Sequence, residues 1–399
     1  MPHLLPICRL LLATMLCAAL GACGTLSRME LDTDAAPAQR LAASSDLKAE
    51  VDGLAQPLIE RGENTGLVVG VLAADGQAQY FGYGVTAQGG NRPDGDTLFA
   101  IGSLSKGFLG GTTAILVEEG ALGWDETLAT LLPAHVKLSD DARRITLRQL
   151  VTHTSGLPRQ PFTPETLRYF IEYLFTGKSF YRHFDRDYLL NYLATFKKSG
   201  EARPQYSNIG YGILGAILEL RSGQRIDALV HQKILTPLQL DHTGYVPAAL
   251  PGYATRARGH AGDQPKMIRR GQPVPDWEFT DVMSGSAALY SNAHDLLAYA
   301  RAHLYPGADA LRDRALRNSL QVQFARPQEA AATAWIVDEI EGRKITYQIG
   351  LVAGYTAYIG MDVESRMAVV VLQNNFNWTN RIGHRLLLRM VHAQQVRTR

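Results

Sequence analysis

The chain has 399 residues, enough for one large domain or two to three ordinary ones, and 46% of them are apolar, so a sizeable core is available. Lys and Arg number 40 against 38 Asp and Glu, a formal net charge of +2. With the basic residues scattered rather than run together, this balance excludes a nucleic-acid binder that works by charge.

The first residues read as a targeting segment. Arg9 and the N-terminus are positive, and Leu10 to Leu20 is an apolar run too short to span a bilayer as a mature helix. It ends in Leu20-Gly21-Ala22-Cys23. Small residues before a Cys at the end of such a run resemble the lipobox of bacterial lipoproteins. The resemblance implies a signal peptide over 1–22, cleavage before Cys23 and lipidation of Cys23. The plainer reading is an ordinary signal peptide with a bystander Cys. Gly24 and Thr25 follow without the Asp that marks inner-membrane retention, so the expected anchor is the outer membrane, facing the periplasm of a bacterial cell envelope. Cys8, Cys17 and Cys23 all lie in this leader, which leaves no intramolecular disulfide, no thiolate nucleophile and no Cys-based metal site. Residues 24–46, rich in Ala, Ser and charge, read as a flexible tether.

Leu47 to Arg61 predicts a helix with Asp46 as its N-cap. Leu67 to Ala73 and Gln77 to Val85 predict two strands joined by the turn Ala74-Asp75-Gly76. Lys106 to Glu119 predicts a helix that Gly120 can end. The middle, about 121–330, reads as mostly helical and loop-rich. Strands return at Lys344–Gly350, Thr356–Asp362 and Met367–Leu372, before an amphipathic helix from Arg381 to Val391. Strands at both ends with helices between them predict an α+β fold: an antiparallel sheet with flanking helices (about 47–100 and 331–395) and an all-helical lobe (about 101–330). Clefts between lobes are frequent binding sites.

Three stretches carry candidate chemistry. In Ala100-Ile101-Gly102-Ser103-Leu104-Ser105-Lys106, Ser103 follows an apolar run and opens a helix, where unpaired N–H groups and the helix dipole favour negative charge on its oxygen. Lys106 lies one turn on along the same face, placed to activate the hydroxyl. Ser45 and Lys48 share the spacing but lie at the polar tether, so spacing alone decides nothing. In Tyr206-Ser207-Asn208, just before a helix from Ile209 to Leu220, the phenol and the amide are two residues apart and point to one side of an extended turn. The phenol suits proton transfer and the amide suits a substrate carbonyl. The same tripeptide recurs at Tyr290-Ser291-Asn292, where Asn292 with Asp295 reads as a helix cap. The third stretch is Leu150-Val151-Thr152-His153-Thr154-Ser155-Gly156-Leu157-Pro158.

That third stretch, together with the order of the other two, resembles class C β-lactamases and their relatives, the D-alanyl-D-alanine carboxypeptidases and family VIII esterases. Pro237-Leu238-Gln239-Leu240-Asp241-His242-Thr243-Gly244-Tyr245 and the run from Gly285 to Ala300 look like further landmarks. The resemblance covers roughly residues 50–392. It implies a β-lactamase/penicillin-binding transpeptidase-like fold and a serine hydrolase without cofactor or metal. Ser103 would form an acyl-enzyme, Lys106 and Tyr206 would share the acid–base work, and Asn208 would orient the substrate. The oxyanion hole would come from the N–H of Ser103 and one near Leu351. The substrate would be a small molecule or a cell-wall peptide: a β-lactam, a D-Ala-D-Ala stem or an ester. His153 is read as supporting its turn rather than as a base. Nothing speaks to oligomeric state.

The family's third motif, a Lys or His followed two residues on by Gly, corresponds here to Gln348-Ile349-Gly350. A neutral amide stands where a cation normally binds a substrate carboxylate and keeps the Tyr acidic. Lys344 lies four residues away, about 13 Å at strand rise, too far to replace it. The exchange favours substrates without that carboxylate, or a relative that binds cell-wall peptides or a protein partner without turnover. The segment Phe162–Phe196 is dense in Phe and Tyr. It reads either as a helical insert packed on the core, or as an apolar wall or lid over the cleft or a membrane-facing patch. A Ser–His–Asp hydrolase needs Gly-x-Ser-x-Gly, which no Ser here satisfies. The 11 His are dispersed without a metal-binding spacing, which discounts a metallohydrolase.

Overall fold

The structure, a computed structural model, describes residues 46–198, 204–326 and 329–398. The expected signal peptide, the lipidated Cys23 and the tether up to residue 45 lie outside the described residues. Helices of seven residues or more and all strands are numbered in chain order.

Helix α1 (Leu47–Glu60) begins where the Asp46 carboxylate accepts a hydrogen bond from the Lys48 N–H, the cap the sequence predicts. Strands β1 (Gly66–Leu72) and β2 (Ala78–Gly84) form the expected antiparallel hairpin. After the helical middle, β7 (Arg343–Val352), β8 (Tyr355–Asp362) and β9 (Met367–Gln373) extend each predicted late strand by one to three residues. Two strands of the large sheet escape the sequence pattern, β5 (Ala330–Ala331) and β6 (Ile336–Ile340), as do the two short strands Phe99–Ala100 and Tyr290–Ser291. β6 carries Asp338 and Glu339 at its centre, which break any apolar alternation. Asp338 is nonetheless buried, because it accepts the Glu329 N–H at 2.8 Å and stands 3.5 Å from His384. The result is one antiparallel sheet of seven strands in the order β2-β1-β9-β8-β7-β6-β5.

Both faces of the sheet are covered. Leu67, Val69 and Val71 of β1 pack with Val51, Ala55 and Leu58 of α1 and with Leu386 and Leu387 of the C-terminal helix α9 (Gly383–Thr398). The alternate residues Val68 and Leu72 face the helical lobe. That double burial is why β1 reads as an unbroken apolar run rather than as an alternating one.

The helical lobe contains α2 (Ser105–Glu118), α3 (Pro164–Thr176), α4 (Arg186–Thr195), α5 (Asn208–Ser222), α6 (Asp281–Ala287), α7 (Ala293–Leu304) and α8 (Ala310–Ser319). It has no separate core. One buried apolar cluster runs from Val370 and Leu372 of the sheet through Phe108 and Leu109 of α2 to Ile213 and Ile217 of α5. The short strands β3 (Phe99–Ala100) and β4 (Tyr290–Ser291) pair with each other. The second Tyr-Ser-Asn copy is therefore structural: Asn292 accepts the Asp295 N–H at 2.8 Å and caps α7. This pairing brings the start of α2 beside α6, which fixes the place where the candidate site forms.

Candidate active site

Ser103 sits in a single 3-10 turn, Gly102–Leu104, that feeds into α2. Two glycines allow this turn to touch the sheet. Gly102 has φ of 52°, and a Cβ there would stand 3.0 Å from the Leu351 nitrogen. A Cβ on Gly350 would stand 2.0 Å from the Ile101 carbonyl oxygen. Strand β7 can thus lie against the turn, with the Leu351 backbone beside Ser103. On its other side, β6 pairs with β7 only from Arg343 to Tyr347, so β7 from Gln348 onward has no β6 partner.

Lys106 is fully buried. Its ammonium Nζ donates to Ser103 Oγ at 3.1 Å and to the Ser286 carbonyl of α6 at 2.7 Å. A desolvated charge is tolerated only where hydrogen bonds replace its water, and these two supply part of that. Nζ also lies 4.9 Å from the centroid of the Tyr206 ring and 5.5 Å from that of Tyr211. The neighbouring Ser103 hydroxyl and Lys106 amine are thus brought beside the ring of Tyr206, which is remote in sequence.

The loop that presents Tyr206 is clamped by the segment containing His153. The His153 carbonyl accepts the Gln205 N–H at 2.7 Å, and its Nδ1 accepts the Ser207 N–H at 3.1 Å. The His153 ring stacks on Tyr206 at 4.4 Å. With φ of 58°, His153 makes the turn that permits this. Burial first, then the positive charges of Lys106 and Arg159, push its imidazole well below the usual histidine value. A neutral, hydrogen-bonded imidazole fits a support for the loop. Ser207 caps α5 through the Gly210 N–H at 2.9 Å and donates to the Pro158 carbonyl at 2.8 Å.

Asn208 opens α5, and like Tyr206 it lines the cleft. Its Nδ2 donates to the Tyr181 hydroxyl at 2.5 Å, while its buried Oδ1 has no hydrogen-bond partner among the described residues. Gln348 also borders the cleft but is buried, and its amide is engaged: Nε2 donates to the Ala334 carbonyl at 2.8 Å and Oε1 accepts the Ile349 N–H at 3.2 Å. Leu351 lines the cleft; Gly350 does not, and its part is the close approach to Ile101.

Sequence reasoning gave no role to three further groups. Arg159 holds its guanidinium 5.1 Å from the Tyr206 ring centroid, on the residue directly after the recognisable third stretch. The Ser286 carbonyl accepts a hydrogen bond from Lys106 Nζ, and the Tyr181 hydroxyl accepts one from Asn208. The aromatic segment is packed on the core and also lines the cleft. Tyr173, Phe180, Tyr181 and Phe184 are buried in the core, and Phe170, Tyr173, Phe180 and Tyr181 form one wall of a cleft of about 960 Å³. Among the described residues no cluster of His, Cys, Asp and Glu is arranged to hold a metal ion, and no helix is long and apolar enough to cross a membrane.

The family model described as Beta-lactamase matches residues 51–392. Among curated proteins, a "Beta-lactamase" from Pseudomonas fluorescens is 29% identical over 66% of this chain and 66% of its own length. "Penicillin-binding protein 4" from Amycolatopsis lactamdurans is 29% identical over 53% of this chain and 52% of its own length, and the "D-alanyl-D-alanine-carboxypeptidase/endopeptidase AmpH" of Escherichia coli K12 is 28% identical over half of each. The matched stretches thus span about half to two thirds of these relatives. Among solved structures, a class C beta lactamase from Rhodobacter sphaeroides superposes with a TM-score of 0.71 at 22% identity, over 88% of this chain and 100% of that one. D-alanine Carboxypeptidase AmpC from Burkholderia cenocepacia gives 0.70 at 22% identity, over 88% and 99%.

Proposed function

Since the chain belongs to the beta-lactamase family, we propose that it is a serine hydrolase that works through an acyl-enzyme on Ser103. The observation that carries this reading is the 3.1 Å contact between Lys106 Nζ and Ser103 Oγ, made by a fully buried ammonium at the edge of an open cleft. Ser103 Oγ attacks the substrate carbonyl carbon, and its proton passes to the Lys106–Tyr206 pair, which enters the step one proton short, as free amine with phenol or as ammonium with phenolate. The oxyanion that forms is met by the N–H groups of Ser103 and Leu351. Collapse breaks the bond to the leaving alcohol or amine, which takes up the proton held by the pair. Water then repeats the sequence and frees the acid. Asn208 orients the substrate, with Tyr181 fixing the rotation of its amide.

The substrate class follows from Gln348. Its neutral, internally bonded amide offers no charge to a carboxylate, which favours an ester or an internal cell-wall peptide link over a β-lactam or a terminal D-Ala-D-Ala. The site of action follows from the leader: lipidation at Cys23 would hold the enzyme on the outer membrane, facing the periplasm. The same neutral Gln348 favours a second reading, a relative that binds cell-wall peptides or a protein partner without turnover.

Labelling with a fluorophosphonate and with a fluorescent penicillin, followed by peptide mapping, tests both readings. An adduct on Ser103 together with turnover of p-nitrophenyl esters is expected. No adduct with either reagent would overturn the hydrolase and leave the binder.

A further inference from the structure

Rings from three separate parts of the chain make one continuous surface inside the cleft. Phe170 and Tyr173 come from α3, Phe180 and Tyr181 from the turn after it, and Trp277 from the segment before α6. Centroid separations of 5.5 Å for Tyr173–Trp277, 4.2 Å for Phe180–Tyr181 and 6.0 Å for Tyr181–Trp277 are those of packed aromatic pairs. The wall is held in place: the Trp277 indole N–H donates to the Gly177 carbonyl at 2.9 Å, and Tyr173, Phe180 and Tyr181 are all buried. Phe170 and Trp277 keep part of their surface open to the cleft. At the mouth, Phe162 is 73% exposed.

The wall is joined to the chemistry at one atom pair, Asn208 Nδ2 on the Tyr181 hydroxyl. Whatever lies against Asn208 therefore continues onto the aromatic surface. The leaving group departs toward the proton carriers Lys106 and Tyr206, a region that also holds the Arg159 cation. What remains for the aromatic side is the part of the substrate that stays on Ser103. We infer that this wall is an acyl-group site, and that the preferred substrates carry a bulky, uncharged, apolar acyl chain, alkyl or aryl, on the scissile carbonyl. This rests on the hydrolase reading above and narrows it. A pre-formed aromatic wall binds such a chain without ordering cost, and each buried methylene contributes about 0.8 kcal/mol, or about fourfold.

The test is a series of p-nitrophenyl esters from acetate to octanoate, with one leaving group throughout. The expected result is a kcat/KM that rises about threefold to fourfold per methylene over the first several, then levels off as the wall is filled. Phe170→Ala and the exposed Phe162→Ala should both flatten the gradient, the first more than the second. If acetate is the best substrate while a small fluorophosphonate still labels Ser103, the acyl site is overturned and the hydrolase stands. A gradient seen only when the alcohol of an acetate ester is lengthened also overturns it. If Ser103 neither labels nor turns over any ester, the hydrolase reading fails, and binding decides the wall. Calorimetry of the Ser103→Ala protein with octanamide and acetamide should then show tighter octanamide binding, weakened by adding Phe170→Ala. Equal binding of the two amides, or none, would overturn the inference.

Discussion

Lys106 has no exposure to water, and its Nζ donates hydrogen bonds to the Ser103 hydroxyl and the Ser286 carbonyl. Such a group is costly to the fold and useful to the chemistry. Lys106→Met should lower ester turnover by about 10³-fold, in line with the loss of a positioned acid–base group. Its melting temperature should stay level or rise, because an apolar chain of similar length replaces a desolvated ammonium. A drop in both would mean that the lysine is structural. Gln348→Lys tests the opposite exchange. The ammonium can still donate to the Ala334 carbonyl, and it restores a cation at the place where β7 meets the cleft; the expected gain is in turnover of carboxylate-bearing substrates, measured as the rate ratio to a neutral ester. An unchanged ratio would mean that this strand position does not address the substrate. The gathering of Ser103, Lys106, Tyr206 and Asn208 in one place was legible because each belongs to a short motif whose order along the chain carries information. Tyr181 and Arg159 were not. A tyrosine in an aromatic run and an arginine in a loop have no spacing that marks them, and their roles exist only after α3, α4 and the His153 turn have packed.

Among the elements, the contact between β7 and the Ser103 turn is the most sensitive. Gly350→Ala places a methyl 2.0 Å from the Ile101 carbonyl oxygen, backbone that has no side chain to swing away. The strand must move, and Leu351 moves with it. Loss of one oxyanion donor costs about 10²–10³-fold in kcat, so a fall of that order is expected, with KM for neutral esters changing much less. A crystal structure of the variant with β7 unmoved would contradict the argument. The same element shows what a sequence pattern can and cannot carry. β9 was legible by its unbroken apolar run, and β7 and β8 by their alternating β-branched and aromatic residues. β6 was hidden because its two central residues are acidic, and Asp338 is accommodated only through Glu329 and His384, partners 9 and 46 positions away. The helix caps at Asp46 and Asn292 were legible because capping is local.

For the whole molecule, acid is the condition to watch. His153, His260 and His303 are buried and held below the usual histidine value, each chiefly by desolvation, with His303 pushed down to about 4. Unfolding raises these groups back toward 6.5, so the unfolded chain binds more protons below that pH. The stability they confer is complete above about pH 6.5 and is lost as the pH falls toward 4. Glu329 works the other way: burial pushes it up to about 7, so its cost appears as the pH rises from 4.5. Asp295, also pushed up by burial, joins Glu329, and three histidines against these two acids predict a lower melting temperature at pH 4.5 than at pH 7.5. His303→Phe, which keeps the edge-on contacts to Tyr299 and Trp335, should remove part of that difference. An equal difference in the variant would show that other groups carry it. The α+β class was legible at this scale from strands at both ends and helices between them. The shared core was not, since the single buried cluster that holds Phe108, Ile213 and Val370 depends on distances that no local pattern encodes.

The Lys106 anchor on Ser286 spreads the candidate centre over separate pieces. Ser103 sits in the turn before α2 and Lys106 in α2, the carbonyl that steadies the amine belongs to α6, and the Leu351 backbone belongs to the sheet. No single segment contains a working centre. Turnover is therefore a gauge of how tightly three independent pieces are seated, and a slight loosening of any joint would silence the protein well before its helices melt.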